Sequence, residues 1–152
     1  MDKEKFFFLF NSEDEMRRYR EAGFEGELIN HNAWLDWNGP MQILPALQKK
    51  YDAVYTARPT PFKRHHPASN VANLALVTGK LNGPREVDSF PPHAFRNHDE
   101  LSPHEVCQVI NRSSDGLILS EEEGACFSSS EYLRCGVRVV STQSRGGRDY
   151  CG

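Results

Sequence analysis

Short apolar runs and helix-like periodicity alternate at the start of this chain. The run Phe6–Phe10 is continuous and aromatic, which predicts a strand buried on both faces. Ser12 and Glu15 have the spacing of a capping box, and Gly23 stands where a left-handed cap ends a helix. A second strand is predicted over 27–30. This β-α-β opening indicates an α/β protein.

The same alternation continues after residue 50. Apolar runs predict four further strands, at residues 51–57, 74–79, 116–119 and 137–141. Capping patterns and spacing predict a helix that begins at Ser102, a helix over 128–135, a short helix that ends near Lys50 and a helical stretch from residue 62. Residues 80–101 are rich in proline and are predicted to be loop-like.

Composition and charge exclude several classes of protein. The 152 residues suit about one domain, and 38% hydrophobic content is enough to build a core. The net charge of −3 gives no global field that would favour nucleic acid. The apolar run Phe6–Phe10 is far shorter than the roughly 20 residues of a membrane-spanning helix. We therefore expect a cytoplasmic protein with no transmembrane segment and no nucleic-acid partner.

The cysteines and histidines do not have the spacing of a metal site. The four cysteines contain no C-x-x-C pair, and the six histidines form no recognised ligand motif. Free thiols are the expected state. The sequence thus predicts no metal and no cofactor.

Two cations follow the predicted strand 51–57. Arg58 and Lys63 are separated by four residues, and a guanidinium and an ammonium at the carboxyl end of a strand can clamp a diphosphate. The alternative is two exposed cations on a loop.

The segment 120–131 contains a second candidate site. Gly124 permits a close backbone approach, and the amides at the start of the Ser128 helix form an anion site. Glu123 and Glu131 are spaced so that both carboxylates could face one crevice. In the alternative interpretation, Glu131 completes a capping box with Ser128, and the acidic run is a solvated turn.

Weaker signals lie at the two ends of the chain. Gly146 and Gly147 could bring backbone amides to an anion, although a frayed tail explains them equally well. His31, Asn32 and Asp36 could approach an acceptor, or could belong to an ordinary polar loop.

The order of these elements carries a family resemblance. Residues 51–152 contain, in this order, a strand, R-x4-K, a strand, a helix, a strand, E-x7-E and a last strand after Gly136. The most specific part of this pattern is the stretch 117–142. This region resembles the C-terminal, donor-binding lobe of GT-B retaining glycosyltransferases, the glycogen-synthase-like and lipopolysaccharide-type group. The resemblance implies a Rossmann-like parallel sheet with flanking helices, in a partial GT-B architecture. Residues 1–50 would be a remnant of the acceptor lobe.

The resemblance also implies a reaction and its residues. A sugar would pass from a nucleoside diphosphate-sugar to a hydroxyl acceptor with retention of configuration and without a metal. Arg58 and Lys63 would hold the diphosphate, and Glu123 would lie near the donor sugar. Gly124 and Ala125 would adjoin the phosphates, with the amides of the Ser128 helix aimed at them, and Glu131 would bind the ribose.

Departures from the family pattern leave alternatives open. Arg138 stands where the family has proline, and only about 50 residues precede Tyr51. The chain also ends before the family's final helices, so it looks truncated or minimal. The alternatives are a non-catalytic nucleotide-sugar-binding module, or a degenerate lobe completed by a partner chain or a homo-oligomer. A third is an interaction domain with Trp34 and Trp37 as its contact patch.

Overall fold

The computed structural model describes residues 6–79 and 89–144, which form two parallel sheets. The smaller sheet is a single β-α-β unit. It has two strands and one helix: β1 (Phe7–Phe10), α1 (Glu13–Glu21) and β2 (Glu25–Leu28).

The larger sheet has five parallel strands in the order β5-β4-β3-β6-β7. Its elements are β3 (Tyr51–Thr56), β4 (Leu74–Val77), β5 (Phe95–Arg96), α2 (Pro103–Asn111), β6 (Ser113–Ile118), α3 (Phe127–Arg134) and β7 (Arg138–Ser141). The chain builds outward from β3 to β5, then returns to place β6 on the other side of β3. This order confirms the expected Rossmann-like α/β fold, and its topological switch point lies between β3 and β6.

The two faces of the larger sheet are covered differently. One face packs against α2 and α3 around a core that includes Val54, Ile110 and Tyr132. The other face, which includes Tyr55, packs against Ala68 in the 3₁₀ helix His66–Asn70. The sheet is therefore covered on both sides, and the α-helices of the described residues lie on one of them.

A close approach fixes α3 against the switch point. A Cβ added to Gly116 would lie 2.2 Å from the Tyr132 ring, so no larger residue fits there without movement. The Tyr132 hydroxyl accepts a hydrogen bond from the Thr56 amide at 2.8 Å and donates one to the Leu117 carbonyl at 3.4 Å. Tyr132 thus joins the carboxyl end of β3 to β6.

The predicted helix termini are largely confirmed. Ser102 and Glu105 form both halves of a capping box at the start of α2. Gly23 takes a positive φ of 82° after α1, which a residue with a side chain rarely adopts. At the start of α1, the Ser12 hydroxyl accepts from the Glu15 amide, but the Glu15 carboxylate accepts from Asn11 rather than from Ser12.

The prediction that residues 6–10 are buried on both faces is wrong. Phe7 and Leu9 are 64% and 43% exposed, and only Phe10 of β1 is buried. Within residues 6–79 and 89–144, the strand pairs with β2 alone and has α1 against one face, and no element covers the other face. Pairing in that register also begins β2 at Glu25, two residues before the predicted start.

The predicted helix ending near Lys50 is absent. The Leu44 amide donates to the Asn111 side chain at 2.8 Å, and the Lys50 amide donates to the Arg112 carbonyl at 2.7 Å. The segment bonds to the end of α2 at both of these points and makes a turn between them, in which the Leu47 amide donates to the Leu44 carbonyl at 3.0 Å. Tertiary contacts thus replace the helix.

Three smaller predictions are also corrected. The helical stretch from residue 62 consists of two 3₁₀ helices, Pro61–Lys63 and His66–Asn70, separated by Arg64 in a left-handed conformation (φ 46°). Part of the predicted loop 80–101 forms β5, and residues 80–88 lie outside the described residues. The helix expected at 128 begins at Phe127 without a side-chain cap.

Candidate functional site

A cleft of about 1040 Å³ opens at the carboxyl ends of β3 and β6, beside the switch point. The loop after β3 lines it with Arg58, Phe62 and Lys63. The loop after β6 lines it with residues 121–124. The opposite wall is the smaller unit, which contributes residues 11–15, Arg18 and Tyr19.

Four of the predicted site residues line this cleft, namely Arg58, Lys63, Glu123 and Gly124. Lys63 donates to Glu123 in an ion pair whose side chains are only 13% and 12% exposed. The Ser120 hydroxyl donates to the same Glu123 oxygen. Arg58 is exposed on the cleft wall, and its guanidinium forms no hydrogen bond or ion pair with another described residue. The two residues predicted to hold diphosphate and sugar are therefore paired with each other, and Arg58 is left open.

A hydrogen-bond network fixes the loop that carries Lys63. The Arg64 guanidinium donates to the Leu119 carbonyl at 2.7 Å, the Ser120 carbonyl at 3.0 Å and the Thr142 hydroxyl at 2.9 Å. The Tyr55 hydroxyl donates to the Lys63 carbonyl, and burial raises the pKa of Tyr55 to about 12. The side chains of Arg64 and Tyr55 thus join the Lys63 loop to the carboxyl ends of β3, β6 and β7.

Sequence reasoning missed this role of Arg64. In the sequence it is one more cation beside Lys63, and nothing in its spacing separates the two. Its left-handed backbone turns the side chain toward the ends of β6 and β7 while Lys63 faces the cleft.

The loop after Glu123 joins the cleft to the smaller unit. Gly124 lines the cleft, and a Cβ placed there would lie 3.3 Å from the Asn11 side-chain nitrogen. The Ala125 carbonyl accepts a hydrogen bond from Asn32, and Asn32 in turn accepts one from the Ser130 hydroxyl at 2.9 Å. Asn32 therefore ties its own loop to the start of α3.

Ser128 and Glu131 lie outside the cleft lining. The Ser128 hydroxyl donates to the Thr56 carbonyl at 3.2 Å, so the capping box with Glu131 does not form. The Glu131 carboxylate is half-buried and has no hydrogen bond to a described residue. Burial raises its pKa, while nearby Arg134 opposes the shift.

The weaker candidates fall in different places. The His31 ring stacks on Trp34 with centroids 5.0 Å apart, close to the loop that Asn32 ties to α3. Gly146 and Gly147 lie outside the described residues. Within residues 6–79 and 89–144, no group of three or more histidine, cysteine, aspartate or glutamate side chains could hold a metal ion. No helix in those ranges is long and apolar enough to cross a membrane.

Acids outnumber cations in the described lining of the cleft. Six carboxylates face three cations there, and two of those cations are paired: Lys63 with Glu123, and Arg18 with Asp14 at 2.7 Å. Arg58 is the unpaired cation of this lining. The cleft can therefore bind one anionic group at Arg58 and present carboxylates to a part of the ligand that is rich in hydroxyls.

The sheet and its cleft define a Rossmann-like α/β protein with an open cleft at the switch point. No family model matches the chain, and no significantly similar curated protein or solved structure was found. The glycosyltransferase resemblance thus stays a prediction.

Proposed function

We propose that this cleft binds a nucleoside diphosphate-sugar and that the protein transfers its sugar to a hydroxyl acceptor with retention of configuration. One observation carries the proposal. Arg58 and Lys63 come from one segment, and Glu123 and Gly124 from another, with Lys63 and Glu123 separated by 60 positions. All four residues nevertheless line one cleft at the switch point of a parallel sheet. Open α/β sheets bind nucleotides at this position.

The free cation supports a place for the diphosphate. A guanidinium binds phosphate oxygens through parallel N–H donors, and Arg58 has no competing partner among the described residues. The surrounding carboxylates then suit the sugar and ribose hydroxyls, which donate hydrogen bonds to them.

Lys63 is the second cation in the proposed mechanism. It is paired with Glu123, so a diphosphate has to compete with that carboxylate for the ammonium. As the glycosyl–phosphate bond breaks, negative charge develops on the leaving diphosphate, and two fixed cations stabilise it. Glu123 is released earlier, when the bound diphosphate takes the Lys63 ammonium, so its carboxylate faces the donor sugar before the bond breaks.

The second candidate is a nucleotide-sugar-binding module without transfer activity. The same Lys63–Glu123 pair favours it, because both groups assigned to chemistry are engaged with each other. Product formation separates the candidates: the purified chain, with a donor and a panel of hydroxyl acceptors, forms a glycoside only if it is a transferase.

A thermal-shift screen against nucleoside diphosphates and their sugar conjugates tests binding. A ligand at 100 times its dissociation constant stabilises the folded state by about 2.7 kcal/mol. We expect stabilisation of the wild type, loss of it in Arg58→Ala, and full retention in Arg138→Ala. Arg138 is a matched control because it is exposed at the opposite end of the sheet, at the start of β7. Stabilisation by no nucleotide, or equal loss in both variants, would refute the proposal.

A further inference from the structure

Both tryptophans of the chain are exposed in one short segment. Trp34 is 62% exposed and Trp37 is 75% exposed, and they lie three residues apart. An indole ring is among the largest apolar surfaces a residue offers and is usually well buried. Two exposed rings so close in sequence indicate a contact surface.

Each ring is held against a planar group of the protein. The His31 imidazole stacks on Trp34 at 5.0 Å with an interplanar angle of 11°. The Arg134 guanidinium lies 5.2 Å from the Trp37 ring centre and also donates to the Trp37 carbonyl at 2.7 Å. The rings are thus backed on one side and open to solvent on the other.

Polar groups accompany the two rings. The Asp36 carboxylate, between them in sequence, accepts one hydrogen bond from the Asn38 amide at 2.9 Å and keeps its second oxygen for another donor. The Asn38 side chain is exposed. A flat apolar face beside a carboxylate and an amide matches a pyranose ring, which has an apolar C–H face and a rim of hydroxyls.

We propose that Trp34 and Trp37 form a saccharide-binding platform, on which sugar rings stack and bond to Asp36 and Asn38. The segment that bears the two rings is bonded to the residue that follows the cleft wall, because Asn32 donates to the carbonyl of Ala125, next to Gly124. We assign the bound saccharide the role of acceptor. This last step rests on the proposed function, whereas saccharide binding itself does not.

Intrinsic fluorescence tests the platform directly, since both tryptophans of the chain belong to it. The probes are neutral oligosaccharides of glucose and of N-acetylglucosamine. We expect a blue shift of the emission and protection from acrylamide quenching. By calorimetry, the dissociation constant should rise about tenfold or more in Trp34→Ala and in Trp37→Ala. Phe7→Ala, an equally exposed aromatic residue on β1, should bind as the wild type does.

Two outcomes would overturn the platform. One is unchanged emission and no calorimetric binding across the whole panel. The other is a blue shift that follows protein concentration together with a doubled mass in light scattering, which would show a self-association surface instead. Thermal midpoints of the two tryptophan variants, expected to equal the wild type, establish that the loss is one of binding and not of folding.

Failure of the platform and failure of the nucleotide site are distinguishable. Arg58→Ala should bind saccharide normally while it loses nucleotide. Saccharide binding without nucleotide binding would refute the proposed function and leave the platform standing. Nucleotide binding without saccharide binding would refute the platform and leave the proposed nucleotide site standing.

Discussion

The two parallel sheets of this protein contain strands that are similar in composition but differ in how deeply they are buried. In β4, Leu74 to Val77 are all buried, because β3 and β5 flank the strand and both faces of the sheet are covered. In β1, two of the four apolar residues are exposed, because the strand has one neighbour and one covering helix. An apolar run thus indicates a strand, but its burial depends on how many neighbours the fold supplies.

The ion pairs of the smaller unit and of the larger sheet also differ in exposure. On α1, Asp14 pairs with Arg17 and Arg18, and all three side chains are more than half exposed. Beside the larger sheet, Lys63 and Glu123 are nearly buried. Water screens the first set and leaves the second strongly coupled.

Removal of one partner of the buried pair should have the largest effect. Lys63→Ala leaves the Glu123 carboxylate unpaired, and we expect a loss of ~3–5 kcal/mol in the free energy of unfolding. Arg18→Ala, in the exposed set, should cost under ~1 kcal/mol. Urea denaturation measures both. The double variant Lys63→Met, Glu123→Gln should recover most of the loss, and failure to recover it would show that the pair is not the cause.

A leucine truncation in each sheet comes next. Leu74→Ala opens a cavity in a fully buried site and should cost ~2–5 kcal/mol. Leu9→Ala removes a side chain that is 43% exposed and should cost under ~1 kcal/mol. Equal losses in thermal or urea denaturation would contradict the difference in cover between the two sheets.

A substitution at the contact between β6 and α3 should reduce the free energy of unfolding by a smaller amount. Gly116→Ala forces the Tyr132 ring to move and should cost ~1–3 kcal/mol. Gly79→Ala is the matched control, because nothing lies within 4 Å of its added Cβ. A midpoint unchanged in both variants would place α3 away from the switch point.

The smallest effect is a pH dependence. Burial raises the pKa of Glu131 in the native state above its ordinary value of 4.5. Between these two pKa values the native state keeps a proton that the unfolded state releases. The free energy of unfolding therefore falls as the pH rises from 4.5 through the pKa of the native state. Glu131→Gln should therefore be more stable than the wild type at pH 7 and no more stable at pH 3.5.

Glu105→Gln is the control of opposite sign. The Ser102 side chain and amide lower the pKa of Glu105, so its contribution is present at pH 7 and lost on acidification. The variant should therefore be less stable than the wild type at pH 7. Parallel pH profiles for the wild type and both variants would contradict these assignments.

Sequence reasoning found the features that depend on neighbouring residues. The capping box at Ser102 and the glycine after α1 are local, and both are confirmed. It failed where distant residues decide. The segment before Lys50 bonds to α2 instead of forming a helix, and Ser128 bonds to the end of β3 instead of capping α3.

The candidate site shows the same limit. Patterns at Arg58, Lys63 and Glu123 marked residues that do share one cleft. Their partners were not predictable, because the ion pair spans 60 positions and the Arg64 network spans up to 79. The exposure of Trp34 and Trp37 likewise depends on tertiary packing, which the local sequence pattern does not reveal.

An NMR titration of the ¹⁵N-labelled chain with the most stabilising nucleoside diphosphate tests the central claim most directly. The account predicts amide shifts concentrated at 58–63 and 120–124, with little change at the amino ends of β3, β6 and β7. Shifts centred on those amino ends, or no shifts at saturating nucleotide, would contradict it.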